Sequence, residues 1–304
     1  MKSSISANMR MVGACCVLLL LNGVSAPAQN IASNQKSLVK DSLFRSTSLQ
    51  REMHYRIILP ARYKNGGRFP VLYLLHGIFG DYKNWDTRTH LEDYAKNMPI
   101  IIVMPDADDS WYTNSGTVPA DRFEDYIVKD FIPEIDDKFR TIRDRHARAI
   151  AGLSMGGYGA VKLGLKYPEL FVFSGSLSGA FNATQNLDTL RPEFRTKLLE
   201  VFNAEGSSTR AENDVFDLLS AQHETPYPYF YLACGSSDFF LGTNRAFAQQ
   251  LSSRNLAYEY HETAGGHTWQ YWDDAVKPLL QGVDRALDNG RAASTIGGTK
   301  KKPN

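Results

Sequence analysis

The string Gly152-Leu153-Ser154-Met155-Gly156 places a serine hydroxyl between two glycines. A serine hydroxyl is a weak nucleophile at neutral pH and needs an adjacent base. Of the seven histidines, His267 is the best placed to be that base, in the glycine-rich segment Ala264-Gly265-Gly266-His267-Thr268-Trp269. An imidazole base needs an acid to orient it and to support its charge. Asp238 meets that need, following Ala233-Cys234-Gly235-Ser236-Ser237. Asp273 and Asp274 are weaker candidates, because they fall in a helical pattern after His267. A developing oxyanion requires backbone donors: the Met155 N–H, just after the serine, and the Ile78 N–H in Leu74-Leu75-His76-Gly77-Ile78. His76 itself is read as a prop for that loop. Together these residues would perform acyl transfer through a covalent serine intermediate, with no cofactor and no metal. Asp106, Asp108 and Asp109 lack the spacing of a cation site.

Such residues act only if the chain sets them on one edge. Short apolar runs with glycine-rich or polar exits recur at 70–75, 100–104, 147–151, 170–173, 230–233 and 257–261, and 51–59 alternates as a half-buried strand does. Helical spacing fills 122–139, 155–167, 244–254 and 268–287. Strands alternating with helices predict an α/β fold with a mostly parallel, doubly wound sheet, whose chemistry gathers at the carboxyl ends of the strands. Ser154 stands directly between a strand and a helix, the context that makes its motif specific. The chain order serine, acid, histidine is that of the α/β-hydrolase fold. Residues 181–222 break the rhythm and read as a short helical cap inserted over the site.

Composition bounds the rest. The chain has 304 residues, 43% hydrophobic and 22% charged, which is globular. Residues 1–28 combine a basic start, an apolar run and small residues, and read as a signal peptide, too short to leave a stable membrane span once cleaved. A secreted or periplasmic location follows as the expectation. Residues 29–290 form one domain with 28 basic and 33 acidic residues, a mildly acidic balance that argues against nucleic acid. The small, basic stretch 291–304 reads as a disordered tail. Beyond the signal the only cysteine is Cys234, in the apolar run Tyr229–Cys234, so no internal disulfide forms. Nothing in the sequence sets the oligomeric state.

Leu72-Tyr73-Leu74-Leu75-His76-Gly77 with Trp85, then Trp111-Tyr112-Thr113-Asn114, then Gly152-Leu153-Ser154-Met155-Gly156-Gly157-Tyr158-Gly159 resemble the putative-esterase (esterase D) family of α/β-hydrolases over about residues 40–285. That family includes S-formylglutathione hydrolases, tributyrin esterases, feruloyl and acetylxylan esterases and the antigen 85 mycolyltransferases. The resemblance implies Ser154 as nucleophile, Asp238 as acid, His267 as base and Ile78 and Met155 as oxyanion donors, in agreement with the residues read one by one. It further implies that Trp111 and Tyr112 line an acyl pocket, with Trp269 as another substrate-binding residue. The expected substrate is a small-molecule or carbohydrate ester, with short-chain acyl groups favoured. The rival activities are acetylxylan or feruloyl ester hydrolysis and acyl transfer to an alcohol of the mycolyltransferase type. A signal peptide sits poorly with glutathione conjugates, which belong to the cytosol.

Overall fold

Five-residue runs without a polar interruption, such as Val71–Leu75 and Ile101–Pro105, are buried along their whole length. A strand buried on both faces must lie inside a sheet covered by helices on each side. The computed structural model, which describes residues 38–185, 187, 190–220 and 224–297, has that arrangement. Eight strands form one sheet: β1 (Leu38–Ser46), β2 (Arg51–Leu59), β3 (Val71–Leu75), β4 (Ile101–Pro105), β5 (Arg148–Leu153), β6 (Phe173–Leu177), β7 (Tyr229–Gly235) and β8 (Tyr258–Thr263). Their order is β1-β2-β4-β3-β5-β6-β7-β8. Only the β1–β2 and β2–β4 pairings are antiparallel. The sheet from β4 to β8 is parallel, so the carboxyl ends of β3, β5, β7 and β8 open on one edge.

The helices are α1 (Asn84–Arg88), α2 (Leu91–Ala95), α3 (Phe123–Asp125), a π-helical stretch at Tyr126–Phe131 that runs into α4 (Ile132–Lys138), α5 (Met155–Lys166), α6 (Pro192–Phe202), α7 (Ser208–Ala211), α8 (Val215–Leu218), α9 (Leu241–Ser253) and α10 (Trp269–Gly297). Phe123, Ile135, Val161 and Phe247 pack one face of the sheet. Leu91, Val276, Leu279 and Val283 pack the other. The fold is therefore the doubly wound α/β-hydrolase architecture that the alternation of runs predicts.

Three boundaries differ from the sequence pattern. The run at 170–173 lies mostly before its strand: β6 is Phe173–Leu177, made of Phe-Ser-Gly-Ser-Leu and wholly buried. A Cβ on Gly175 would stand 3.0 Å from the Ala151 side chain, so this central strand is thin because its neighbours crowd it, and small residues there mimic a loop in sequence. Strand β1 has no marked pattern, because it is an edge strand with mostly exposed or half-buried residues. Helix α10 does not end near residue 290: it continues to Gly297, into the segment expected to be disordered. Arg291-Ala292-Ala293 holds good helix formers that carry the register on. Residues 298–304 and the signal at 1–28 lie outside the described residues.

The insertion between β6 and β7 contributes α6, α7 and α8. It is pinned to the body by Ser115 Oγ donating to the Glu200 carbonyl at 2.7 Å, the Gly116 N–H to the Val201 carbonyl at 2.8 Å, and the Tyr158 hydroxyl to the Asn213 carbonyl at 2.6 Å.

Candidate functional site

Ser154 occupies the turn between β5 and α5, with φ 53° and ψ −115°. A non-glycine residue there is strained and persists only where its surroundings over-determine it. They do so here: the Ser154 N–H donates to the Leu177 carbonyl at 2.9 Å, and a Cβ on Gly156 would stand 2.5 Å from the carbonyl oxygens of both Leu75 and His76. Only glycine lets α5 begin that close to β3. The turn lifts the Ser154 hydroxyl to the N-terminus of a twelve-residue helix, where the helix dipole favours negative charge.

Asp238 and His267 come from the loops after β7 and β8. These loops touch backbone to backbone: a Cβ on Gly235 would stand 2.5 Å from the Gly265 carbonyl oxygen, and the Ser237 N–H donates to that same oxygen at 2.8 Å. The result is a continuous hydrogen-bonded chain. His267 Nε2 lies 2.9 Å from Ser154 Oγ, and His267 Nδ1 lies 3.0 Å and 3.2 Å from the two Asp238 oxygens. The Asp238 carboxyl is fully buried. Burial would raise its pKa, but hydrogen bonds from His267, the Phe240 N–H and Ser178 outweigh it and hold the group below the ordinary carboxylate value. An ionised Asp238 only accepts, so Nδ1 carries the imidazole proton and Nε2 is left to accept from the serine. Phe239, Phe240 and Trp272 box in the imidazole, with ring centroids 4.4, 5.3 and 4.8 Å away. Trp272 Nε1 donates to Ser178 Oγ at 3.1 Å, which anchors that wall beside Asp238.

Ile78 lies in the loop after β3 and borders one cavity with Ser154, and Met155 directly follows the serine as the first residue of α5. Two backbone N–H groups so placed beside a serine could hold an oxyanion. His76 is buried and props this loop: its Nε2 accepts the Ala107 N–H at 3.0 Å, and its Nδ1 lies 2.8 Å from the Gly77 carbonyl. Burial pushes its pKa below the ordinary histidine value. Asp273 serves elsewhere, accepting from His90 Nδ1 at 2.8 Å. Asp108 pairs with Arg51, and Asp109 accepts the Phe79 N–H at 2.6 Å. Cys234 is buried, and burial pushes its thiol up to about 12.

A cavity of about 390 Å³ opens beside the hydroxyl. It is lined by Ser154 and His267 together with Ile78, Phe79, Asn84, Arg88, Trp269 and Trp272. Trp111 and Tyr112, expected to line an acyl pocket, do not border this cavity. They are buried structural residues, 6% and 0% exposed. The Trp111 ring meets Tyr158 and Phe202 edge-on, and the Tyr112 hydroxyl donates to the His76 carbonyl at 3.0 Å. Beneath them lies a residue that the sequence pattern did not flag. Lys162, on α5 and fully buried, donates to the Tyr112 carbonyl (2.6 Å), Thr113 Oγ1 (2.8 Å), Glu124 (2.8 Å) and Asn213 Oδ1 (3.3 Å). Burial lowers its pKa to about 8 despite Glu124. Burial acts to raise Glu124, but Lys162 and Lys166 overcome it and hold the carboxyl at about 2. This buried pair ties α5, the 111–114 loop and the insertion together. The insertion meets Phe79, which lines the cavity, through Phe194, with ring centroids 6.0 Å apart.

A serine in a strained turn, an imidazole within hydrogen-bond reach of it, a buried carboxylate and nearby backbone N–H groups can together attack an acyl carbon, hold the oxyanion and return a proton to the leaving group. Proteins similar to this chain handle esters. A family model described as putative esterase matches residues 46–281. An acetyl esterase of Caldicellulosiruptor saccharolyticus is 27% identical over 226 residues, covering 72% of this chain and 84% of its own. Esterase Rv1288 of Mycobacterium tuberculosis (strain ATCC 25618 / H37Rv) is 29% identical over 264 residues, 79% of this chain; the chain spans only 57% of that relative's length. Among solved structures, the substrate-bound Staphylococcus aureus fluorophosphonate-binding serine hydrolase FphF superimposes with a TM-score of 0.75 at 26% identity, over 82% of this chain and 99% of its own.

Proposed function

The chain belongs to the putative esterase family and is a carboxylic-ester hydrolase, and from that premise we propose that it cleaves short-chain acyl esters outside the cytoplasm by a two-step serine mechanism. The observation that carries the reading is the unbroken chain from Ser154 Oγ through His267 to Asp238, with contacts of 2.9 and 3.0 Å. Ser154 Oγ bonds to the acyl carbon as its proton passes to His267 Nε2. The carbonyl electrons move onto oxygen, between the Ile78 and Met155 N–H groups. The tetrahedral adduct collapses, the C–O bond to the alcohol breaks, and His267 gives its proton to the departing oxygen. Water then repeats the sequence on the acyl-enzyme, releasing the acid and freeing Ser154. Asp238 keeps the proton off Nε2 in the resting enzyme and offsets the positive charge on the imidazolium.

A cavity of about 390 Å³, walled by Phe79, Trp269 and Trp272, supports a small ester. The test is hydrolysis of p-nitrophenyl esters from acetate to laurate, with mass spectrometry after exposure to a fluorophosphonate. We expect kcat/KM to peak among the shortest acyl groups and one label to sit on Ser154. Turnover that rises with chain length would sink the short-chain assignment, and a label on another residue would sink the serine assignment. The basic start, apolar run and small-residue exit of residues 1–28 support export. Protein recovered from the periplasm or medium should therefore begin close to Gln29; a chain still starting at Met1 would refute cleavage.

A further inference from the structure

Among the described residues, Arg88 is the one permanently charged side chain bordering the cavity that holds Ser154. It closes the last turn of α1 and is exposed. Its guanidinium lies 6.0 Å from the centre of the Trp269 ring, which borders the same cavity. Among the described residues no carboxylate forms an ion pair with it. Asp86, two positions earlier, is taken by Arg56 at 2.7 Å, and no acidic residue borders the cavity. Trp269 is itself fixed edge-on by Trp85 and Trp272, with centroids 5.9 and 5.2 Å away, so the ring under the guanidinium is a fixed platform.

The position also selects which half of the ester meets Arg88. His267 gives its proton to the leaving oxygen, so the alcohol departs on the imidazole side. Thr268, Trp269 and Trp272 follow His267 in sequence and border the cavity with it. We infer that Arg88 and Trp269 form an alcohol-side subsite for an anionic alcohol, a hydroxylated ring bearing a carboxylate or phosphate, with the ring against the indole and the anion on the guanidinium. Planar guanidinium donors match either anion in a two-pronged geometry. This inference rests on the esterase reading above and adds the chemical class of the alcohol.

The probes are three acetate esters acylated at the same hydroxyl: of glucose, of glucuronic acid and of a glucose phosphate. Wild type should favour at least one charged ester over the glucose ester by about tenfold in kcat/KM, the worth of one charge-assisted hydrogen bond, with the difference residing in KM. The charged ester that is favoured identifies the anion. Arg88→Gln should collapse that ratio to near one, and Arg88→Lys should keep part of it, since a point charge remains without the fork. Added salt should shrink the wild-type ratio, because the guanidinium is exposed. A wild type that cleaves p-nitrophenyl acetate but treats all three sugar esters alike overturns the subsite and leaves the esterase reading standing. So does an Arg88→Gln variant, folded by its melting curve, that keeps the preference. A folded wild type that cleaves neither the sugar esters nor p-nitrophenyl acetate overturns both.

Discussion

Ser154→Ala should reduce kcat for p-nitrophenyl acetate by a factor on the order of 10⁶, the loss seen when a serine nucleophile is removed from an otherwise intact site. The hydroxyl is the only part of Ser154 that reaches His267, 2.9 Å away. Its backbone is fixed independently by the Leu177 carbonyl and by the close approach of Gly156 to β3. Alanine therefore removes the reacting atom and leaves the turn in place, and the melting temperature should stay near that of wild type. Residual catalysis over water would come from the Ile78 and Met155 donors and from binding. Active-site labelling by a fluorophosphonate should vanish along with turnover. A loss smaller than about tenfold would mean that another group attacks the ester, because a true nucleophile cannot be spared so cheaply.

The second large effect is expected from Asp238→Asn, about 10⁴-fold in kcat near neutral pH. The carboxylate accepts the His267 Nδ1 proton, whereas an amide can turn its N–H toward Nδ1 and place the imidazole proton on Nε2, where it blocks the serine. The substitution also carries a pH signature. Asp238 is held below the ordinary carboxylate value, so the folded state binds its proton less readily than the unfolded chain does. The stability this contributes is fully present above about pH 4 and is lost as the pH falls through the folded-state pKa. Denaturation midpoints measured across that acid range should fall less steeply for the variant than for wild type. A variant that keeps wild-type kcat would assign the orienting role to a different acid.

The residues that meet at Ser154 could be picked from the chain because each carries a local signal. The serine sits between glycines at a strand-to-helix junction, Asp238 closes the short polar exit of an apolar run, and His267 sits in a glycine-rich loop after a strand. Much of the doubly wound sheet was legible for the same reason: β3 and β4 are unbroken apolar runs. What stayed hidden depends on contacts between distant segments. Trp111 and Tyr112 look like pocket aromatics in sequence, yet the site is propped by their burial against Tyr158, Phe202 and His76. Lys162 reads as an ordinary helical lysine until Glu124, Asn213 and the Tyr112 carbonyl converge on it from three other segments. Trp272 and Ser178 lie 94 positions apart and have no mark that pairs them. The contact of Gly235 with Gly265 is equally silent, because a glycine that must admit a backbone looks the same as one that merely turns.

The stretch from Gly77 to Arg88 supplies Ile78, Phe79, Asn84 and Arg88 to the cavity in one continuous piece. The seats of Ser154, Asp238 and His267 are built elsewhere, by Gly156 against β3 and by Gly235 against Gly265. Ile78 contributes a main-chain N–H, which every residue except proline retains. A recombination event that exchanged this one segment would thus change part of the cavity lining while passing on Ser154, Asp238 and His267 unaltered. Part of the cavity lining is thus heritable apart from Ser154, Asp238 and His267, and a library confined to Phe79–Arg88 varies that part while Trp269 and Trp272 stay fixed.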